Sequence, residues 1–181
     1  SFTVEMWIRH HGQGSLLGNG RPNGMFFCQG DGYWSGERMM LDTPSRRLSF
    51  MIGRPKPSHA VGVAAGQLVP GGAWNHLAAT WDGSKLCLYW NGMLTGVAPY
   101  DGQYTAPTGP LKIGYANAGV GSLKLDVDEL AVFGRALRAE EILEHAMDGA
   151  EVRASTLGRL VEANAAMLGG EWDAAQAGYE A

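Results

Sequence analysis

The 181-residue sequence is poor in the features by which a chain usually declares its chemistry. No stretch reaches the ~18 consecutive apolar residues of a membrane-spanning helix, and no basic segment followed by an apolar run marks a secretory leader. Only two cysteines are present, Cys28 and Cys87, and their spacing suits neither an all-cysteine zinc site nor one of paired cysteines and histidines. They allow either one disulfide or two free buried thiols. No serine or cysteine stands in a nucleophile motif, and GDG at 30–32 and GVG at 119–121 are turn text, too short to cradle a phosphate. Arg46, Arg47, Arg54 and Lys56 gather around Pro55 and Pro57, the pattern of a solvated loop. The basic stripe of a nucleic-acid binder is missing, and no nucleic-acid partner is expected.

Glycine is abundant, at 27 residues, and with 8 prolines it predicts many turns and hence many short strands. Hydrophobic residues make up 45%, enough for a real core. The net charge of −4 is unevenly spread. Residues 1–138 are net +3, while residues 139–181 carry 2 basic and 9 acidic side chains, a net of −7.

Hydrophobic alternation predicts strands over Thr3–Arg9, Ser15–Gly18, Gly24–Gln29, Arg38–Leu41 and Leu48–Ile52, each bounded by Gly, Pro, Asn or Asp. His76–Trp81 and Lys85–Trp90 read as a hairpin around Asp82-Gly83-Ser84, closed by Asn91-Gly92. Leu94–Ala98, Leu111–Tyr115 and Leu123–Phe133 follow as further strands. About ten short strands at this spacing predict a two-layer antiparallel β-sandwich rather than alternating β and α units. Past Phe133 the period changes to that of a helix over Ala136–Met147, with Ile142, Leu143 and Ala146 on one face and Gly149 as the stop. Residues 151–168 and 171–181 repeat a helical pattern. The expected division is therefore a sandwich over 1–149 and an acidic helical segment over 150–181.

The blocks FTVEMWIR, WNHLAATWDGSKLCLYWNG, GPLKIGYANAG and LDVDELAVFGRALRAEEI, in this order and spacing, resemble the laminin-G-like, concanavalin A-like jelly roll in its bacterial form. The resemblance covers most of residues 1–149. It implies two antiparallel sheets packed face to face and a non-catalytic role in recognition, in an extracellular or cell-surface setting. Members of the family usually begin with one more strand carrying an Asp-Gly turn. Without it, the place beside the terminal strand is left open, filled by another segment or supplied by chain beyond the sequence. Residues 164–181, NAAMLGGEWDAAQAGYEA, are similar to half of a tetratricopeptide repeat, with Gly170, Trp172, Ala175 and Tyr179 at its Gly, aromatic and small positions. That likeness implies the alternative, cytoplasmic setting.

Asp126, Asp128 and Glu129 in LKLDVDEL invite comparison with glycosidase carboxylates. On a strand, Asp126 and Asp128 share a face about 6–7 Å apart, against the about 5–5.5 Å of a retaining pair. The block runs straight into FGRALRAEEI, the closing text of a non-catalytic family, and no second acidic cluster accompanies it in the β region. No catalytic residue is assigned. The resemblance implies instead that Asp128 is a calcium ligand. Calcium takes about 6–8 oxygens, more than Asp128 supplies, and the alternative is a cap or salt bridge on the convex face. His10 and His11 read as loop residues after the first strand, His145 has no visible partner, and His76 reads as a satisfied strand histidine.

The aromatics of the loops are the remaining candidates for ligand contact. Tyr33 and Trp34 lie in GDGYWSGER, and Tyr100, Tyr104 and Tyr115 lie in or beside other loops. Such rings stack on the apolar face of a sugar, although large aromatics also plug the ends of sandwiches. The sequence thus reads as a non-catalytic module binding a glycan or protein ligand, joined to further domains of the same polypeptide. Its competitor is a structural or scaffolding domain packed into a larger assembly through its sandwich and helical tail.

Overall fold

The computed structural model describes residues 1–13, 23–30, 36–42, 47–53, 61–68, 72–114 and 123–148. Among them run ten strands: β1 (Phe2–Gln13), β2 (Asn23–Gly30), β3 (Gly36–Asp42), β4 (Arg47–Ile52), β5 (Val61–Leu68), β6 (Asn75–Trp81), β7 (Lys85–Trp90), β8 (Met93–Pro99), β9 (Leu111–Ile113) and β10 (Leu123–Phe133). One helix follows, α1 (Ala139–Asp148). The strands form two five-stranded sheets, ordered β10-β1-β6-β7-β8 and β5-β4-β3-β2-β9, with antiparallel pairing throughout. The fold is the mainly β, two-sheet sandwich with a C-terminal helix that the spacing of turns predicts.

Alternation explains which side chains fill the space between the sheets. Val4, Met6 and Ile8 of β1 join Leu77 and Ala79 of β6 and Leu86, Leu88 and Trp90 of β7 on one side of the core. Phe26, Phe27, Met39, Leu48, Phe50 and Ile52 of the second sheet meet them. Burying each Leu or Phe contributes roughly 1.5–3 kcal/mol. Phe26 and Phe27, adjacent in sequence, both reach this core, and a register irregularity between Met25 and Phe27 accompanies the break in alternation.

The outer face of the first sheet is covered as well. Ala78, Cys87 and Tyr89 pack there against Leu137 and Ile142, with Phe133 alongside. This second layer explains why β1 is buried from Thr3 to Ile8 on both of its faces. Thr3 is tied into it through its hydroxyl, which donates to the Arg135 carbonyl (2.9 Å) and accepts from the Leu137 N–H (2.8 Å). The first turn of α1 is fixed by Glu141, which accepts from the Arg138 N–H (2.8 Å) and pairs with Arg135 at 2.8 Å. Those bonds from Arg135 and Arg138 hold the Glu141 carboxyl well below its ordinary value.

The WNH…WNG hairpin is locked by amides. Asn75 Oδ1 accepts from the Trp90 indole (2.8 Å), Asn75 Nδ2 donates to the Ala73 carbonyl (3.0 Å), and Asn91 Oδ1 accepts from the His76 N–H (2.7 Å). Asn91 and Gly92 both take positive φ, 50° and 82°, as a two-residue β-turn of primed type requires. At the other end, Asp82 Oδ1 gathers the N–H groups of Ser84 (2.8 Å) and Lys85 (2.9 Å).

Two expectations are revised, and one of the alternatives for the place beside the terminal strand is met. β1 runs to Gln13, so His10 and His11 are strand residues and not loop residues; they point oppositely, His10 buried and His11 exposed. β5, VGVAAGQL, has no counterpart among the strands expected from the sequence, because its small residues give almost no hydrophobic alternation. β1 pairs with β10 on one side and β6 on the other, so the place beside the terminal strand is filled. Cys28 and Cys87 are both buried as thiols, and no disulfide joins them. The expected strand at 15–18, the segment 150–181 and its half-repeat lie outside the described residues.

Candidate functional site

The β1–β10 ladder carries an irregularity that shapes a depression on the outer face. Glu5 pairs with Ala131 and Trp7 with Asp128, so the single residue Met6 faces two, Glu129 and Leu130. Glu129 takes φ +50° at this bulge, a conformation that costs a non-glycine residue about 1 kcal/mol or more. The depression, of about 470 Å³, opens between the bulge and the C-terminal half of α1. Three carboxylates line it, one each from β1 (Glu5), β10 (Glu129) and α1 (Asp148). His76 and His145 add imidazoles, and Leu130, Ala131 and Phe133 supply an apolar wall.

Glu5 is the residue out of place in a simple sandwich. It is only 5% exposed, because α1 lies over the face to which alternation sends it. Its Oε1 is 2.8 Å from His145 Nδ1, while Oε2 is buried, accepts no hydrogen bond among the described residues and lies 3.8 Å from His76 Nε2. Burial raises the Glu5 carboxyl above its ordinary value, His145 works against that rise, and the charge of Glu129 adds to it. The His145 ring is held from its other side by stacking on Phe133, with centroids 5.9 Å apart and planes at 23°. His76 is 2% exposed and packs against Trp7 at 5.3 Å between centroids. The helix can come this close because position 92 is glycine. A Cβ there would stand 2.8 Å from Leu143 Cδ1 and 3.2 Å from Ala146 Cβ.

Of the residues singled out from the sequence, the described Tyr100, Tyr104 and Asp128 do not line this depression. Tyr100 is buried, donates its hydroxyl to the Gln103 carbonyl (2.6 Å) and packs beside Trp81 at 6.1 Å. Tyr104 is half-buried against Phe2 (5.3 Å) and Trp81 (5.6 Å), so both tyrosines sit where aromatics plug the end of the sandwich. Tyr33, Trp34 and Tyr115 lie outside the described residues. Asp128 is exposed, and its Oδ1 accepts the Glu129 N–H at 2.9 Å. Among the described residues no three His, Cys, Asp or Glu side chains stand together to hold a metal ion. Calcium asks for about 6–8 oxygens, of which Asp128 supplies a single carboxylate.

Asp126 is equally committed elsewhere. Its Oδ2 pairs with Arg9 Nη2 at 2.6 Å and His11 Nε2 at 2.9 Å, and the bonds from His11 and Arg9 hold its carboxyl below the ordinary value. A proton donor to a glycosidic oxygen needs the opposite shift. Sequence reasoning missed the depression because its members, at positions 5, 76, 129, 145 and 148, come together only in space. The sequence offers only an acid between the apolar Val4 and Met6; that its face, with Thr3 and Trp7, is covered is seen in the fold alone.

This arrangement of sheets and sequence blocks corresponds to a known family. The chain belongs to the concanavalin A-like lectin/glucanases superfamily, whose laminin G type model matches residues 1–143. Among solved structures, a native heptameric SAP-like pentraxin from Limulus polyphemus is similar at 17% identity and TM-score 0.57, over 80% of this chain and 69% of that one. The binding domain of botulinum neurotoxin DC, in complex with SialylT, matches at 14% identity and TM-score 0.60, over 81% of this chain and 35% of that one. The botulinum neurotoxin type G receptor binding domain matches at 15% identity and TM-score 0.56, over 82% and 38%. The chain thus spans little more than a third of either toxin domain. These likenesses are of fold. Among curated proteins none matches the chain, and no described helix is long and apolar enough to cross a membrane.

Proposed function

We propose that the chain is a non-catalytic recognition module of a larger protein, binding a protein or carbohydrate ligand, and that the depression between the β10 bulge and α1 is its principal contact site. The observation that carries this is Glu5, a carboxylate 5% exposed with one oxygen that accepts no hydrogen bond among the described residues, lining an open depression of about 470 Å³. Burying an acid in that way is unfavourable for stability alone, and binding sites are where such groups concentrate. The family supports recognition in an extracellular or cell-surface setting, and the SialylT complex and receptor-binding relatives share the fold. The commitment of Asp126 to Arg9 and His11 argues against hydrolysis.

The test is to apply the 181-residue chain to glycan and peptide arrays and to assay it against β-glucans. Saturable binding to one ligand class without turnover is expected. Release of reducing sugar, or silence on both arrays, overturns the reading. A glycan that binds through the loop aromatics instead is detected by Trp34→Ala, which would abolish it, while Glu129→Gln would leave it intact.

A further inference from the structure

We propose that the depression takes a basic side chain, arginine or lysine, presented by a partner protein. The inference rests on the recognition reading above and names the ligand of the same site. Each acid around the depression is held where the fold by itself disfavours it. Glu5 is buried, its Oε2 accepting no hydrogen bond among the described residues and standing 3.8 Å from His76 Nε2, and Glu129 stands at positive φ on the bulge. Asp148 ends α1, with Glu144 one turn before it, so like charges four residues apart sit at the end of the helix whose dipole repels them. A cation in the depression offsets the electrostatic cost at Glu5 and Asp148, and the bulge sets the Glu129 carboxylate beside it.

The chemistry of the wall selects the kind of cation. No three of these groups stand together as metal ligands among the described residues, so a bare divalent ion has no cage. An arginine or lysine side chain has an apolar stem and a charged head. Leu130 and Phe133 match the stem, and the acids match the head. A guanidinium plane is further suited to the Phe133–His145 stacked pair. A cavity of about 470 Å³ has room for one such side chain but not for a helix or a strand. Charge favours the same partner, since α1 carries Glu140, Glu141, Glu144 and Asp148 and no lysine or arginine. A neutral sugar would leave the acids unrelieved.

The test titrates the ¹⁵N-labelled 181-residue chain with N-acetyl-argininamide and, in parallel, with its neutral isostere N-acetyl-citrullinamide. Saturable amide shifts at Glu5, Glu129 and His145 are expected with the first and not with the second. The exposed-site variant Glu129→Gln/Asp148→Asn should weaken the binding by about tenfold or more at an unchanged melting temperature. Equal response to citrullinamide, undiminished binding by the double variant, or no response to argininamide overturns the proposal. In that event a glycan or neutral peptide from the arrays that shifts these same residues leaves the recognition reading standing, and failure of both arms removes both.

Discussion

Glu5 has a raised carboxyl pKa because α1 takes it out of water, and the sign of its contribution to stability follows. Between its ordinary value of 4.5 and the higher folded value, the native protein holds a proton that the unfolded chain has released. Its share of stability is therefore complete below 4.5 and is lost as pH rises through the folded pKa. His76 from β6, Glu129 from β10, and His145 and Asp148 from α1 face it. Glu5→Gln should flatten that part of the profile, as measured by urea unfolding at a series of pH values; an unchanged slope would assign it to another group. His76→Ala should lower stability by about 2 kcal/mol, or roughly 4–8 °C in melting temperature, because a nearly buried ring packed on Trp7 is lost. The structural role of His76 was legible in its strand context. The burial of Glu5 was not, since alternation predicts only the face, and nothing in the local text says that a helix from the far end of the chain will cover it.

Among the elements, the β7–β8 turn and α1 depend on one another. Gly92→Ala would both force a side chain into φ +82° and drive its Cβ against Leu143 and Ala146. A loss of about 1–3 kcal/mol is expected, accompanied by weaker protection of the α1 amides in hydrogen exchange. Uniform loss of protection over the whole chain would instead mean that the helix and the turn unfold only together with the sheets. The hairpin of β6 and β7 was legible because its turns and alternation agree. β5 was not, because Gly and Ala carry no period. The bulge at Glu129 did leave a trace: the alternation of LKLDVDEL breaks at Asp128-Glu129, two polar residues in a row, where the partner strand shows the extra residue.

Across the whole molecule, charge asymmetry was plain in the sequence, and the fold turns it into a location. Asp148 of α1 is brought to the depression that Glu5 of the first strand lines, about as far apart along the described chain as residues can be. Ligand binding at the depression should weaken as salt rises from about 50 to about 500 mM, on the order of what screening a few exposed charges produces. Salt-independent affinity measured by calorimetry would point to an apolar contact instead.

The position of β1 between β6 and β10 also governs how the protein forms. Arg9 meets Asp126 across 117 positions, and Thr3 meets Leu137 across 134. Such pairings give a high contact order and slow closure. As the chain emerges from the ribosome, β1 can dock on β6 while its other edge still waits for β10. Until β10 is made, that edge is an unpaired template for other strands. The strand that carries the site's buried acid is thus also the one most exposed to aggregation during synthesis.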